Sequence, residues 1–251
     1  MSGVTMVPML VVLPPSETKA SGGEAPALDL SSLSFPSLTE VRREILADLA
    51  ALSSDAELAM ATLKLGPRLA DEVTANAAVR SSATMPALER YTGVLYDALS
   101  ASDLPHAGRG RLAVGSAAFG VVGGEDLIPH YRLSGTVKLP VTATGETPTL
   151  KRRWGKKITE ALSDVDFLID LRSGTYQNLG KVPDATTMTV LTAENKVVSH
   201  FNKHYKGLFA RAVALADRAP ESAAEAVEIG RVAGHDITLA EDGQLIFRVP
   251  V

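Results

Sequence analysis

A Ser-x-x-Lys stretch follows the first apolar run of the chain. Ser16 and Lys19 have the spacing seen in serine acyltransferases, where the lysine helps to deprotonate the serine. The partner motifs of that chemistry, Ser-Asp-Asn and Lys-Thr-Gly, are absent from the sequence. A polar turn is the simpler interpretation, and a lysine that holds an anionic ligand at the end of a strand is a better functional one than acyl transfer.

A glycine-rich stretch, residues 115–124, follows a predicted strand. Its spacing matches neither G-x-G-x-x-G nor G-x-x-x-x-G-K-[ST], so neither nucleotide-binding fingerprint is present. The glycines are typical of tight turns, and a nest of backbone amides that binds an anion is the alternative.

His200 and His204 have the four-residue spacing of paired zinc ligands on one helical face. Lys203 and Lys206 would repel a cation there, so a solvent-exposed or anion-facing helix is favoured. The sequence has no cysteine, which excludes disulfides, thiolate zinc sites, iron–sulfur clusters and a cysteine nucleophile. We expect neither a bound metal nor a cofactor.

Two basic segments stand out in a chain whose formal net charge is −4. Residues 150–158 hold five cations and no acid, and residues 196–218 hold five cations against one acid. The overall charge excludes a protein that coats nucleic acid with its whole surface, but the segments indicate local contact with an anionic partner. Trp154 in the first segment either stacks on a base or sugar, or packs inward with Ile158.

Residues 63–73 resemble the second half of a helix-hairpin-helix, whose typical form is Leu-x-Gly-hydrophobic-Gly-Pro-Lys/Arg-x-Ala. In that motif the hairpin and the amides of the next helix meet a DNA phosphate without reading the sequence. Leu65 stands where the first glycine is usual, and an ordinary helix–turn–helix connection is the alternative. The residues predicted to contact DNA are Gly66, Pro67, Arg68, Lys151, Arg152, Arg153, Lys156, Lys157 and Lys206.

At 251 residues the chain has the size of one large globular domain or two small ones. The chain is 45% hydrophobic and 22% charged, so it can bury a core without disulfides. No apolar run reaches the roughly 18 residues of a membrane span. The apolar start lacks the basic residues of a signal peptide.

The hydrophobic patterns predict strands and helices without steady βαβ alternation, which is typical of an α+β fold. An Asp-Gly pair near the C-terminus predicts a hairpin. Helices are predicted near residues 37–51, 55–64, 67–79, 150–162 and 200–216. Strands are predicted at residues 9–13, 112–114, 136–139, 167–170, 187–191, 196–198, 237–239 and 245–249.

An ordered set of short motifs resembles the YaaA, or peroxide-stress, family. Residues 9–19 are similar to the opening strand and Ser-Glu-Thr-Lys turn of that family. Residues 126–133 are similar to its Asp-Leu-x-x-Pro-Tyr-Arg-Leu, with His130 as an additional residue. The resemblance spans nearly the whole chain and continues in order through residues 90–96, 115–120, 138–139, 154–155, 170–176, 201–207 and 234–247.

The resemblance implies a single domain over residues 1–251 with the "cantaloupe" α+β fold. This fold has a mixed sheet core, surrounding helices and a helix-hairpin-helix-like element at residues 55–79. It implies a cytoplasmic protein of the hydrogen-peroxide response that limits free iron. It also implies binding of duplex DNA through the hairpin and a positively charged cleft. The family has no settled reaction, so the resemblance says more about fold than about chemistry.

Two functional hypotheses follow, with a structural adaptor as a third. The first is a stress protein that binds duplex DNA weakly and without sequence preference. The second is an enzyme acting on a nucleotide, nucleobase or other small anionic substrate, because polar groups converging from loops are typical of a pocket. The predicted pocket residues are Ser16, Lys19, Ser116, Tyr131, Arg132, Lys138, Trp154, Ser173, Tyr176 and Lys203.

In such a pocket Arg132 would hold a phosphate or carboxylate, and Tyr131 and Tyr176 would act as donors or general acids. Because several cations in one cleft repel each other, we expect the pKa of at least one lysine to be lowered. The candidate catalytic residues are Lys19, Ser116, Tyr131, Arg132 and Tyr176.

Overall fold

The computed structural model describes residues 7–198 and 201–249 of the chain. Within them, ten strands form a seven-stranded and a three-stranded sheet. The strands are β1 (Val7–Leu13), β2 (Ala25–Ala27), β3 (Ala83–Pro86), β4 (Leu112–Ser116), β5 (Gly120–Gly123), β6 (Leu127–Pro129), β7 (Val165–Asp170), β8 (Thr186–Thr192), β9 (Asp236–Leu239) and β10 (Leu245–Val249).

The large sheet has the strand order β5-β4-β1-β7-β8-β10-β9, and β2, β3 and β6 form the small antiparallel sheet. The five central strands of the large sheet are parallel, whereas β5 and β9 pair antiparallel at its two edges. Parallel strands are usually covered on both faces, which explains why Val11, Val12 and Leu13 form a continuous, fully buried apolar run.

Eleven α-helices lie along the described part of the chain, and many of their apolar faces join one hydrophobic core with the sheet. At the close crossing of α10 on α5, a Cβ at Gly207 would lie 2.3 Å from the Leu95 carbonyl oxygen. The helices are α1 (Thr39–Leu52), α2 (Ala56–Leu63), α3 (Ala70–Ala77), α4 (Ala87–Arg90), α5 (Val94–Leu99), α6 (His106–Arg109), α7 (Leu150–Trp154), α8 (Lys157–Ser163), α9 (Gly174–Gln177), α10 (Asn202–Leu215) and α11 (Ala223–Val232).

The predicted mixed sheet core with helices is confirmed, but the parallel centre of the sheet is not predicted by the sequence. The connections between parallel strands contain several short helices and loops, which mask the βαβ alternation. Residues 136–139 form no strand, and Lys138 makes only an isolated bridge with Thr149. The helix predicted over residues 150–162 breaks at Gly155, whose φ is 55°, so that α7 and α8 are separate.

The connection between α2 and α3 is a tight turn whose strained residue is Lys64. Lys64 ends α2 with a φ of 57°, and the Leu65 amide donates to the Met60 carbonyl at 2.9 Å. Leu65 itself packs partly against the core. The residue with the glycine-like backbone is therefore Lys64, one position before Leu65, where the sequence comparison places the first glycine of the hairpin motif.

Replacing Lys64 with glycine is expected to raise the free energy of unfolding by about 1 kcal/mol, because the left-handed conformation costs a non-glycine residue roughly that much. Leu65→Gly is the matched variant one residue later. It is expected to lower the free energy of unfolding, because it removes a core contact and adds backbone freedom. Urea denaturation of both variants measures the two changes, and the opposite order would place the glycine position at Leu65 after all.

Candidate functional site

The Lys19 side chain lies where the chain has just left β1. Two prolines end the strand, because proline cannot donate a ladder hydrogen bond, and residues 16–18, here called the strap, lead to Lys19. Its ammonium nitrogen is 4.4 Å from the ring centre of Tyr131 and 5.2 Å from that of Tyr91. It donates hydrogen bonds to two strap carbonyls, 3.2 and 3.5 Å away. The amine therefore rests on two aromatic faces, a favourable position for a cation.

A chain of hydroxyl groups fixes the two rings beneath Lys19. The Ser116 hydroxyl oxygen accepts the amides of Ala118 and Phe119, at 3.2 and 3.0 Å. With both lone pairs in use, the Ser116 hydroxyl donates to Tyr131, and Tyr131 donates to Tyr91, each over 2.7 Å. Burial raises the pKa of both tyrosines well above the usual value. Both hydroxyls are therefore protonated at neutral pH.

Arg132 is the second cation of the site, and both its backbone and its guanidinium make hydrogen bonds. Its amide donates to the side-chain oxygen of Asn76 at 2.8 Å, and its carbonyl accepts from the Asn76 amide group at 3.0 Å. Its guanidinium contacts the Glu17 carboxylate at 2.6 Å and the Glu17 carbonyl at 2.9 Å. Lys19, Tyr91, Ser116, Tyr131 and Arg132 are called the Lys19 cluster below.

His130 and Glu72 link this cluster to α3. His130 contacts the Glu72 carboxylate at 2.8 Å through Nε2 and the Ala20 carbonyl at 3.1 Å through Nδ1. Burial opposes ionisation of Glu72, but the hydrogen bond from His130 and the nearby charges hold its pKa below the usual value. Glu72 therefore supplies negative charge beside Lys19 and Arg132.

The environment of Lys19 favours loss of its proton. Burial, and next the positive charge of Arg132, lower the pKa of Lys19 from 10.5 to about 7, although Glu72 and Glu17 oppose the shift. The sequence-based expectation of a lowered lysine pKa is confirmed in direction, with burial rather than neighbouring cations as the main cause. Near neutral pH a large share of the Lys19 amine is uncharged and able to accept a proton.

Lys19 is expected to titrate near pH 7 in the folded protein. Between that pH and about 10.4 the unfolded chain still binds the proton that the folded chain has released, so the contribution of Lys19 to stability increases as pH rises through this window. Heteronuclear NMR of protein labelled with ¹³C at lysine Cε measures the titration, and Lys19→Arg identifies the signal. The absence of any lysine signal that moves between pH 6 and 8 and is missing from Lys19→Arg would contradict this account.

A second polar space, a cleft of about 350 Å³, opens where β7 ends and β8 begins. Asp170 and Arg172 form a buried ion pair on its wall. Lys206 donates to the Leu171 carbonyl at 2.9 Å, and burial, opposed by Asp170, lowers the pKa of Lys206. Lys203 lines both this cleft and a cavity of about 340 Å³ beside the strap, so the two spaces adjoin.

Most of the predicted pocket residues therefore lie in two neighbouring groups. Lys19, Ser116, Tyr131 and Arg132 form the Lys19 cluster, although Ser116 and Tyr131 are buried behind the amine. Burial raises the pKa of Tyr176, although a hydrogen bond from the Gly135 backbone opposes this shift. Tyr176 lies near the cluster, because the charges of Glu17 and Arg132 also affect its pKa. Ser16 belongs to the strap, and Ser173 and Lys203 line the cleft.

Two predicted pocket residues lie elsewhere. Trp154 is fully buried and its indole nitrogen donates to the Ala117 carbonyl at 3.0 Å. It packs against Gly120, so it belongs to the core and cannot stack on a base. Lys138 is exposed, and its side chain makes no hydrogen bond or ion pair with the Lys19 cluster among the described residues.

The predicted DNA-contacting residues also divide into exposed and internal ones. Arg153 pairs with Asp48 at 2.6 Å, with both side chains less than a tenth exposed, and Lys206 faces the cleft. Arg153 is therefore engaged inside the protein, whereas Lys206 is half-buried with its ammonium on the Leu171 carbonyl. The exposed members of the predicted set are Gly66, Pro67, Arg68, Lys151, Arg152, Lys156 and Lys157.

The glycine stretch and the Ser-x-x-Lys stretch have structural roles. The amides of Ala118 and Phe119 are taken by Ser116, so they form no open anion nest. The Ser16 hydroxyl donates to the Thr18 carbonyl rather than to Lys19, an arrangement that does not activate a nucleophile. The sequence-based interpretation missed Tyr91, Glu72 and Asn76, which lie far from Lys19 and Arg132 along the chain and carry no local signal.

Metal binding and membrane insertion gain no support from the described residues. Between residues 7–198 and 201–249, no three His, Asp or Glu side chains are grouped as ligands for a metal ion. His200 lies outside these residues, so the predicted relation of His200 to His204 stays a prediction. No helix in the part of the chain that the structure describes is long and apolar enough to cross a bilayer.

The chain is similar to a set of bacterial proteins along nearly its whole length. The family model described as "Peroxide stress protein YaaA" matches residues 9–231. A UPF0246 protein of Corynebacterium efficiens is 55% identical over 238 residues, which cover 93% of this chain and 96% of the relative. A UPF0246 protein of Streptomyces coelicolor is 40% identical over 243 residues, with 91% and 92% covered. An uncharacterized Campylobacter jejuni protein is 26% identical over 206 residues, with 80% and 82% covered.

Proposed function

Because the chain belongs to the peroxide stress protein YaaA family, we propose that it acts in the cytoplasmic response to hydrogen peroxide by binding duplex DNA weakly and without sequence preference. The family resemblance also implies a role in limiting free iron. In the cantaloupe fold that it implies, the α2–turn–α3 segment is the helix-hairpin-helix-like element that meets DNA.

The observation that supports this proposal is the exposed turn between α2 and α3. Gly66, Pro67 and Arg68 are all exposed, and no atom lies within 4 Å of the position that a Cβ of Gly66 would take. A phosphate can therefore approach the backbone closely, with Arg68 beside it, and such a contact carries no base information.

The charges around the turn favour weak binding. Asp71 and Glu72 lie in the first turn of α3, where their carboxylates repel a phosphate. The exposed cations of α7 and α8 add attraction, and two of them are only loosely paired, Arg152 with Glu146 and Lys157 with Glu160, each at 3.7 Å. The net charge of −4 further limits affinity.

Affinity for duplex DNA is expected to fall steeply with salt. About four to six phosphate contacts give a slope of about −4 to −5 for the logarithm of the association constant against that of salt concentration. Fluorescence anisotropy with two labelled duplexes of unrelated sequence measures the slope and the preference. Salt-independent binding, or strong preference for one duplex, would contradict the proposal.

The Lys19 cluster favours a second function, the binding of a small anionic molecule such as a nucleotide. Lys19 and Arg132 lie close enough for the charge of Arg132 to affect the pKa of Lys19. Glu17, whose carboxylate contacts Arg132, lines a cavity of about 340 Å³ that provides room for a ligand. If such a ligand is turned over, Lys19 is the group to accept a proton, since its pKa is near 7. Calorimetric titration with AMP and with inorganic phosphate tests this function, and binding of neither would refute it.

A further inference from the structure

The contact between Glu17 and Arg132 joins an exposed carboxylate to a fixed cation. We propose that the Glu17 carboxylate occupies the position that a carboxylate or phosphate group of the ligand takes, so that the ligand enters by displacing Glu17 from Arg132. This inference rests on the proposed small-anion function of the Lys19 cluster. It makes the Glu17 carboxylate an internal competitor for the Arg132 guanidinium.

Arg132 is the fixed partner of the pair. Its side chain is 17% exposed, and the two hydrogen bonds with the buried Asn76 hold its backbone to α3. The backbone of Arg132 is therefore held independently of Glu17, whereas both hydrogen bonds of its guanidinium among the described residues are with Glu17.

Glu17 is the exchangeable partner. Its side chain is 72% exposed, and Arg132 is its one carboxylate contact among the described residues. An ion pair with one such exposed partner adds little to stability, because water competes for the carboxylate and its side chain loses freedom in the pair. Two other strap contacts are long, with the Thr92 amide 3.3 Å from the Thr18 carbonyl and 3.2 Å from the Ser16 hydroxyl, whereas the Glu17 carbonyl accepts a bond of 2.9 Å from Arg132.

The space beside the strap has two charged side chains in its lining, Glu17 and Lys203. The cavity of about 340 Å³ is lined by strap residues, by the start of α5 and by Lys203. A ligand whose acidic group replaces the Glu17 carboxylate keeps the bond from Arg132 to the Glu17 carbonyl. The remainder of that ligand then enters the cavity that Glu17 and Lys203 line.

The test removes the competing charge without removing the cation. Glu17→Gln is expected to bind AMP and inorganic phosphate about three- to tenfold more tightly than the parent chain in calorimetric titration, since the ion pair that opposes binding is gone. Adenosine, which lacks the phosphate, is expected to gain nothing. Glu24→Gln makes the same charge change at an exposed residue of the following loop and is expected to leave all affinities unchanged.

Each other outcome has a definite meaning. Unchanged AMP and phosphate affinity in Glu17→Gln, an equal gain in Glu24→Gln, or an equal gain for adenosine would overturn the role of Glu17 while leaving the anion site itself intact. Failure of both the parent chain and Glu17→Gln to bind either anion would instead refute the small-anion function and the inference that rests on it. Because Glu17 is largely exposed, the variant should fold like the parent, which thermal denaturation checks.

Discussion

Asp170→Asn is expected to lower the free energy of unfolding by about 3–5 kcal/mol, the usual cost of removing one partner from a buried ion pair. Asp170 accepts two hydrogen bonds from the Arg172 guanidinium, at 2.8 and 2.7 Å. The two side chains are only 4% and 1% exposed, so the guanidinium would lose its counter-charge where water cannot replace it. Lys206, whose charge Asp170 also stabilises, adds to the cost.

The matched control makes the same change in an exposed pair. Glu40 and Arg43 are 2.6 Å apart, but their side chains are 79% and 51% exposed. Glu40→Gln is therefore expected to cost less than about 1 kcal/mol. Urea denaturation followed through the fluorescence of Trp154, the one tryptophan of the chain, measures both variants. Similar losses of unfolding free energy in the two variants would show that the stabilising effect of the Asp170–Arg172 pair does not depend on its burial.

The elements that the sequence predicts correctly are those whose hydrophobic pattern or turn residues lie within one short segment. The continuous apolar run of β1 and the helical spacing in α1 are signals contained within one segment. The hairpin of β9 and β10 follows from Asp242-Gly243, where Gly243 has a φ of 80°. The turn between α2 and α3 follows from Gly66-Pro67. Only the backbone dihedral angles show that its left-handed residue is Lys64.

The failures share a different cause, which is contact between residues distant in sequence. Trp154 and Arg153 lie in a strongly basic segment, yet both side chains are buried. Trp154 donates to the Ala117 carbonyl, and Arg153 pairs with Asp48. Their burial depends on partners that no local pattern reveals. The sequence predicts the Lys19 cluster only in part. The individual polar motifs could be recognised, but the stacking of Lys19 on Tyr91 depends on how the sheet assembles.

The largest functional effects are expected from a crossed pair of substitutions. Arg132→Ala is expected to weaken AMP binding by about 10- to 100-fold, since it removes a charged hydrogen-bond donor worth about 1.5–3 kcal/mol. It should leave DNA affinity nearly unchanged, because Arg132 is mostly buried and held by Glu17. Arg68→Ala is expected to leave AMP affinity unchanged. It should weaken DNA binding and reduce the magnitude of the salt slope by about 1, through the loss of one phosphate contact.

The central claim is that one chain carries two separate anion-binding sites, an exposed turn for DNA and the Lys19 cluster for a small anion. The most direct test measures AMP affinity by calorimetry and DNA affinity by anisotropy for the parent chain, Arg132→Ala and Arg68→Ala at one salt concentration. The account predicts that each variant loses one affinity and keeps the other. Equal weakening of DNA binding by both variants, with no AMP binding to the parent chain, would contradict it and leave a single DNA-binding surface.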